Sequence, residues 1–300
     1  MATQVQNKSV QGSLSILAGA SLFGLFWIPL RYLDEQGLTA LWTVAAINLV
    51  GLIIAVPMLF FSGESPGKNV KALLIVSAGM GLSNILYFAG IILSDVVRVV
   101  FLFYLLPLWA TLFSWGIFGE KIGQARMLAL AIAAVGIWLL LGTGGLPIPQ
   151  NLGDIFGLLA GIGWAFGLAM LRGKPDIGAA HTTAISMAFA CVGALILGFT
   201  LHRFIPEVQP AFPTANIITP LVVPLIAFGV LILWPCIFGQ IWGAQYVAAT
   251  TAALLTMSEI ILATISYYIF EDPEMEFISW IGAILILSAI FIDLFGNRDA

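Results

Sequence analysis

FGEKIGQARMLALAIAAVGIWLL, beginning at Phe118, and FEDPEMEFISWIGAILILSAIFID, beginning at Phe270, align at a constant offset of 152 residues. Each reads as the end of one apolar helix, a charged hairpin and the start of the next helix. The first hairpin is basic, with Lys121 and Arg126; the second is acidic, with Glu271, Asp272, Glu274 and Glu276. A second echo pairs Leu17-Ala18-Gly19 with Leu159-Ala160-Gly161, and both continue through Phe-Gly to Leu-Arg, at Leu30-Arg31 and Leu171-Arg172. The chain is thus expected to be one unit written twice.

Composition identifies the solvent of that unit. Of 300 residues, 61% are hydrophobic and 9% are charged, against about 25% charged in a soluble domain. The mean hydropathy is +1.07. A soluble enzyme, a nucleic-acid binder and a disordered regulator all need more charge than this. Cys191 and Cys236 sit inside apolar runs and read as small buried hydrophobes, with neither disulfide nor metal spacing.

A membrane-crossing helix needs about 20 mostly apolar residues. Splitting the chain at charges, prolines and glycine clusters leaves ten such runs, at 13–33, 39–61, 70–93, 96–118, 122–141, 153–172, 181–201, 219–241, 245–269 and 277–295. The first lacks a small-x-small cleavage site and is kept as a span. The predicted fold is therefore all-α and integral to the membrane, with five helices duplicated. Residues 13–141 form the first repeat and 153–295 the second, joined by a linker at 142–152. Residues 1–12 and 296–300 form the two tails. Five is odd, so the second copy crosses the bilayer in the opposite sense. An N-in, C-in orientation places eight Lys and Arg inside (Lys8, Lys68, Lys71, Lys121, Arg126, Arg172, Lys174, Arg298) and three outside (Arg31, Arg98, Arg203), in keeping with the positive-inside rule. Inverted repeats of this kind are a transporter signature, with the substrate site near mid-membrane between the copies.

The run from Tyr87 to Leu141 resembles the repeat of the drug/metabolite transporter superfamily, EamA type. It has a helix with a central proline, a Gly-Glu hairpin, and a small-residue helix containing Ala-x-x-Gly. The ten-span layout and FGLFWIP from Phe23 agree, so the resemblance covers essentially the whole chain. Aromatic residues on the third, fourth and sixth helices, together with Asn48 where many members carry arginine, make it most similar to the YddG-type exporters of aromatic and hydrophobic amino acids. Ser258-Glu259 stands where the second repeat of many members carries proline. The resemblance implies export across a bacterial inner membrane by alternating access, without a cofactor, around a central cavity bordered by the helices of Tyr87, Tyr104 and Trp164.

Intramembrane carboxylates are costly and mark function by default. Glu259 is the one deep in a span. With Thr256, Ala263 and Ser266 it follows 3, 4, 3 spacing, which predicts a polar stripe on the ninth helix. Glu259 can contact a substrate ammonium or act as a protonation switch; it can equally be a hydrogen-bonded acid that locks two helices. Asn84 and Tyr87 lie three apart on the third helix. Phe101, Tyr104, Leu108, Thr111 and Trp115 run at 3 and 4 spacing down the fourth, and Trp164 sits inside the sixth. Aromatic walls with a few hydroxyl and amide tips suit an amphiphilic metabolite, although each aromatic alone can be packing, and Trp42, Trp115, Trp138 and Trp280 fit interface anchors. Ser258 and Gln240 complete the expected substrate site.

Pro107, mid-span, removes a backbone hydrogen bond and should bend the fourth helix; by the repeat offset its counterpart is Glu259. Pro224 and Pro235 can bend the eighth, while Pro29 and Pro57 read as punctuation near helix ends. Gly157/Gly161 and Gly163/Gly167 are small-xxx-small patterns on the sixth helix, echoed by Ser15/Gly19 and Ala20/Gly24 on the first. Pro107, Gly161 and Gly163 are the expected hinges, although the same patterns also serve static packing.

No G-x-x-x-x-G-K-[ST] loop supplies ATP coupling. His181 and His202 stand at opposite ends of the seventh helix and cannot share a metal, and no Ser-His-Asp or Cys-His set can be assembled. The expected partners are a small amino acid or metabolite and the lipid bilayer, with no nucleic acid; a monomer is compatible with the sequence. Two other classes stay open at this point: a membrane enzyme using Glu259 as acid or base, and a passive pore.

Overall fold

The computed structural model describes residues 2–61, 69–141, 148–172, 174, 176–271 and 277–296. Lys68, Arg298, the linker's residues 142–147 and the acidic hairpin's 272–276 lie outside them. Among the described residues ten helical segments are long and apolar enough to cross a membrane. The described residues form helices joined by turns and short connections, without a strand.

Three of the ten spans are broken near their middles. The first consists of α1 (Ala2–Phe23) and α2 (Trp27–Glu35). Between them the chain tightens into three-residue turns, Leu25 N donating to Leu22 O at 3.1 Å and Phe26 N to Phe23 O at 2.8 Å. After α3 (Ala40–Phe61) and α4 (Val70–Leu93), the fourth span divides into α5 (Val96–Phe103) and α6 (Leu106–Phe118). Pro107, the second residue of α6, has no N–H to offer the Phe103 carbonyl. There follow α7 (Gln124–Leu141), α8 (Leu152–Leu171) and α9 (Ala179–Phe204). The eighth span runs from α10 (Ala215–Phe228) through a π-helical turn (Gly229–Leu233) into α11 (Trp234–Ala244). Pro220 and Pro224 lie inside α10 and Pro235 near the start of α11, so the bend expected from prolines is spread over several turns. The ninth span breaks at Met257, between α12 (Ala249–Thr256) and α13 (Ser258–Glu271), and α14 (Phe277–Gly296) closes the chain.

Polar side chains cap several helix starts. Asn69 accepts from Ala72 N at 3.0 Å, Asp95 from Arg98 N at 3.1 Å and Asn151 from Asp154 N at 2.9 Å, which satisfies amide groups that the helices leave free. Gly119, at φ 67°, ends α6 in the left-handed conformation that glycine adopts without strain.

Small residues set the helix crossings, as expected where lipid supplies no hydrophobic drive between helices. Gly136 and Gly282 bring α7 and α14 together: a Cβ on Gly282 would fall 2.5 Å from Leu140 N. Gly12 and Gly243 do the same for α1 and α11, where a Cβ on Gly243 would meet Gly12 O at 2.5 Å. Large apolar side chains such as Ile53, Phe60, Val223 and Phe291 point outward instead.

The two sequence repeats interleave. Helix α8, from the second copy, packs along α4, α5 and α6 of the first; α1, from the first copy, packs along α11, α12 and α13 of the second. Helix α3 pairs with α9, and α7 with α14. Neither five-helix repeat is therefore a body packed on its own, because the groups that pack most closely each mix helices of both copies.

The breaks also revise two stripes. Beyond Tyr104 the fourth span turns, so Thr111 is buried while Leu108 and Trp115 are exposed, at 45% and 59%. In the ninth, Thr256 and Glu259 face one way, whereas Ser266 accepts a hydrogen bond from Trp27 Nε1 at 2.9 Å on the α2 side. Trp115, Trp138 and Trp280 stand exposed near helix ends. Trp42 instead is buried and donates to Pro210 O at 2.8 Å, so it is a packing residue and not a surface anchor.

Candidate functional site

The broken spans meet at one cavity. It is lined by Phe23, Ser83, Asn84, Tyr87, Phe103, Trp164, Ile237, Gln240, Thr256 and Glu259, and the non-atom space within it, open mouth included, is about 400 Å³. Phe23, Phe103 and Thr256 are the last residues of α1, α5 and α12, and Glu259 is the second residue of α13. Interrupted helices thus turn their ends toward the cavity, presenting backbone dipoles to a polar guest.

Five of the substrate-site residues expected from the sequence line this space: Asn84, Tyr87, Trp164, Gln240 and Glu259. The other three do not. Tyr104 is buried beside Phe103, edge-on to it with ring centroids 5.0 Å apart, and reaches the site only through its hydroxyl, which interacts with the Glu259 carboxyl. Phe101 is half-buried against the core. Ser258 turns to α1, where its hydroxyl accepts from Ser21 Oγ at 3.2 Å and donates to Leu17 O at 3.4 Å. The reason is common to all three. Each lies at or beside a break, where continuous helical periodicity no longer predicts the inward face.

Phe23, Ser83, Phe103, Ile237 and Thr256 are not in the expected site, although Thr256 is on the polar stripe expected for the ninth helix. An apolar residue in an apolar helix carries no local signal of facing a cavity. Ser83 adjoins Asn84, but its hydroxyl is committed to Ala160 O at 2.7 Å, which ties α4 to α8. The aromatic wall is continuous: Tyr87 lies 4.7 Å from Phe103 and 5.5 Å from Phe88, ring centroid to centroid. Phe88 meets Phe26 at 6.2 Å, and Phe26 stacks on Phe23 at 4.9 Å.

The expected hinge residues sit at crossings. Gly161 faces the carbonyl that Pro107 leaves free: a Cβ there would lie 2.4 Å from Phe103 O. Gly163 points to another helix, with Gly79 O 3.1 Å from where its Cβ would be.

The polar groups of the cavity divide by helix group. On the α4/α8 side, Trp164 Nε1 is buried without a hydrogen-bond partner among the described residues. Asn84 Oδ1 accepts from Asn48 Nδ2 at 3.3 Å, and Asn48 Nδ2 also donates to Val44 O at 2.9 Å. On the α11/α12/α13 side stand Gln240, Thr256 and the carboxyl of Glu259. Thr256 Oγ1 donates to Ala252 O at 2.9 Å and lies 3.4 Å from Gln240 Oε1. Among the described residues no group of three or more His, Cys, Asp and Glu is placed to hold a metal ion.

Ionic contacts lie at the two ends of the bundle. At one, buried Asp154 accepts from Arg98 Nε at 3.1 Å, Arg98 Nη2 at 2.5 Å, Ser94 Oγ at 2.6 Å and Gln150 N at 2.9 Å, tying α5 to α8. At the other, Asp293 accepts from Arg126 Nε at 3.2 Å and Thr251 Oγ1 at 2.5 Å, and Glu120 pairs with Arg172. At that second end α6 also packs on α12, with Thr111 and Thr250 hydroxyls 2.8 Å apart. The other halves of these spans, α5 and α13, do not pack along each other.

Ten apolar spans in two like sets, with broken helices converging on a central cavity, define a multi-pass membrane transporter. The model of the EamA-like transporter family matches residues 10–142 and again residues 151–294. The chain belongs to that family, and as a member it acts on small molecules within a lipid bilayer. In three dimensions it is similar to a protein of known crystal structure that is 15% identical, with a TM-score of 0.73 over 96% of this chain and 99% of that one, a likeness of fold. No curated protein matches it in sequence.

Proposed function

We propose that the protein is a secondary carrier that exports aromatic and other hydrophobic amino acids, and related amphiphilic metabolites, across the bacterial inner membrane by alternating access. The observation that carries this reading is the cavity itself. An aromatic wall offers stacking and desolvation for an apolar side chain, and a few polar groups, including the carboxyl of Glu259, orient its charged end. In the N-in, C-in orientation the α6/α12 contact lies on the cytoplasmic side, while α5 and α13, which do not pack along each other, lie toward the outside. Export then requires the opposite contact to form and the Thr111–Thr250 contact to part. The absence of a phosphate-binding loop in the sequence favours a gradient or the substrate's own concentration as the driving force.

The test is counterflow. Purified protein in liposomes preloaded with unlabelled phenylalanine should accumulate labelled phenylalanine, saturably, and a panel of amino acids run with and without an imposed proton gradient identifies range and coupling. Linear, non-saturable entry without counterflow is the behaviour of a pore and would sink the carrier reading. Recovery of a chemically altered solute would move the protein to the enzymes.

A further inference from the structure

Asn48 does not touch the cavity, yet it controls the direction of an amide that does. The Val44 carbonyl can only accept, so the end of the Asn48 side chain 2.9 Å from it must be the nitrogen. The second hydrogen of that nitrogen then points to Asn84, 3.3 Å away, which must present its oxygen. The Asn84 amide is thereby turned with its two N–H donors away from Asn48. Asn84 lines the cavity, and among the described residues its nitrogen has no partner. Trp164, on the packed neighbour α8, adds a second unpaired donor to the same side. Across the cavity the α13 side carries Glu259, which offers oxygen.

We infer that Asn48 is a positioning residue that makes the α4/α8 wall a donor wall for the substrate's carboxylate, opposite Glu259, which receives its ammonium. This rests on the proposed amino-acid carrier function and narrows it: the cavity selects a zwitterion, held by one helix group at each charged end. An unpaired buried donor such as the Trp164 N–H is costly, and a carboxylate's two oxygens offer acceptors to the donors of this wall. A substrate that bridges the two walls also links the two helix groups, which gives it a differential hold on the occluded state.

Phenylalanine and phenylalaninamide, which lacks the carboxylate, are compared as competitors of labelled phenylalanine counterflow. Wild-type protein should prefer phenylalanine by about tenfold or more, the value of hydrogen bonds to a charged group. In Asn48→Asp, position 48 offers only oxygen toward Asn84; the Asn84 amide inverts, and the preference should fall toward unity. A merely structural role for Asn48 would lower the amount of active protein and leave that ratio unchanged. Should Asn48→Asp fail to yield monodisperse protein, Asn84→Asp carries the same test, since it places oxygen at both ends of the side chain. Equal competition by the two compounds in wild type, or a ratio unmoved by the substitution, overturns the inference while leaving the carrier intact. Absence of phenylalanine counterflow in wild type overturns the carrier reading and this inference with it.

Discussion

A Cβ placed on Gly24 would fall 2.4 Å from the carbonyl oxygen of Glu259. The turn of the first span and the start of α13 are thus in backbone contact beside the candidate cavity, with Ala263 N 2.9 Å from the same point. Backbone cannot yield as the tip of a long side chain can. Gly24→Ala should push α1 from α13 and cost about 1–3 kcal/mol of stability, with a larger fractional loss of transport than of folded protein. Gly116, with no atom within 4 Å of its would-be Cβ, is the control; Gly116→Ala should leave melting in detergent and transport unchanged. Equal behaviour of the two variants would show that the crossing tolerates the extra carbon.

Glu259→Gln keeps size and hydrogen bonding but removes charge and titration. If the carboxyl meets the substrate ammonium, the variant should weaken phenylalanine counterflow by about tenfold or more and lose its preference for phenylalanine over N-acetylphenylalanine. If the carboxyl also gains and loses a proton in each cycle, the pH dependence of the wild-type rate should flatten in the variant. An unchanged rate and pH profile would leave Glu259 as a helix lock only.

Trp164 and Tyr104 should part company. Trp164 lines the cavity with an N–H that is unpartnered among the described residues, so Trp164→Phe, which keeps an aromatic face but removes the donor, should raise the half-saturating phenylalanine concentration by more than its loss of ring area lowers melting. Tyr104 is 3% exposed, outside the cavity and packed on Phe103. Its alanine variant should act mainly through stability, losing about 3 kcal/mol or more as a large core truncation does. Radioligand binding and thermal unfolding on the same preparations separate the two effects. A Tyr104→Ala protein that melts normally yet fails to bind would return Tyr104 to the site.

How far the sequence could be read depended on whether a signal was local. Pro107 announces the break between α5 and α6, because a missing N–H acts in any context. The break at Met257 has no proline; only the offset that equates Glu259 with Pro107 points to it. The turn at residues 24–26 was not legible, although the Leu-Ala-Gly to Phe-Gly echo aligns the first and sixth spans. The reason is tertiary: Gly167 in the unbroken α8 abuts the flexible side chain of Met80, whereas its counterpart Gly24 abuts the backbone of α13. Once a span breaks, a stripe counted through it fails, as Leu108 and Trp115 show. The link from Asn48 to Asn84 spans 36 residues and two helices, so no periodicity within one helix could reveal it.

The Thr111–Thr250 contact gives the most direct test of movement. With the hydroxyl oxygens 2.8 Å apart, Thr111→Cys with Thr250→Cys should form a disulfide under mild oxidation in a background where Cys191 and Cys236 are replaced by alanine. The pair joins α6 to α12, at the end of the bundle where Asp293 also ties Thr251 to Arg126. If this contact must part in every transport cycle, cross-linked protein should bind phenylalanine but not exchange it across the bilayer, and reductant should restore exchange. A fixed pore would conduct equally in both redox states, because its path needs no such separation. Full counterflow by quantitatively cross-linked protein would place the moving contact elsewhere and end the proposal that α6 and α12 part to admit substrate.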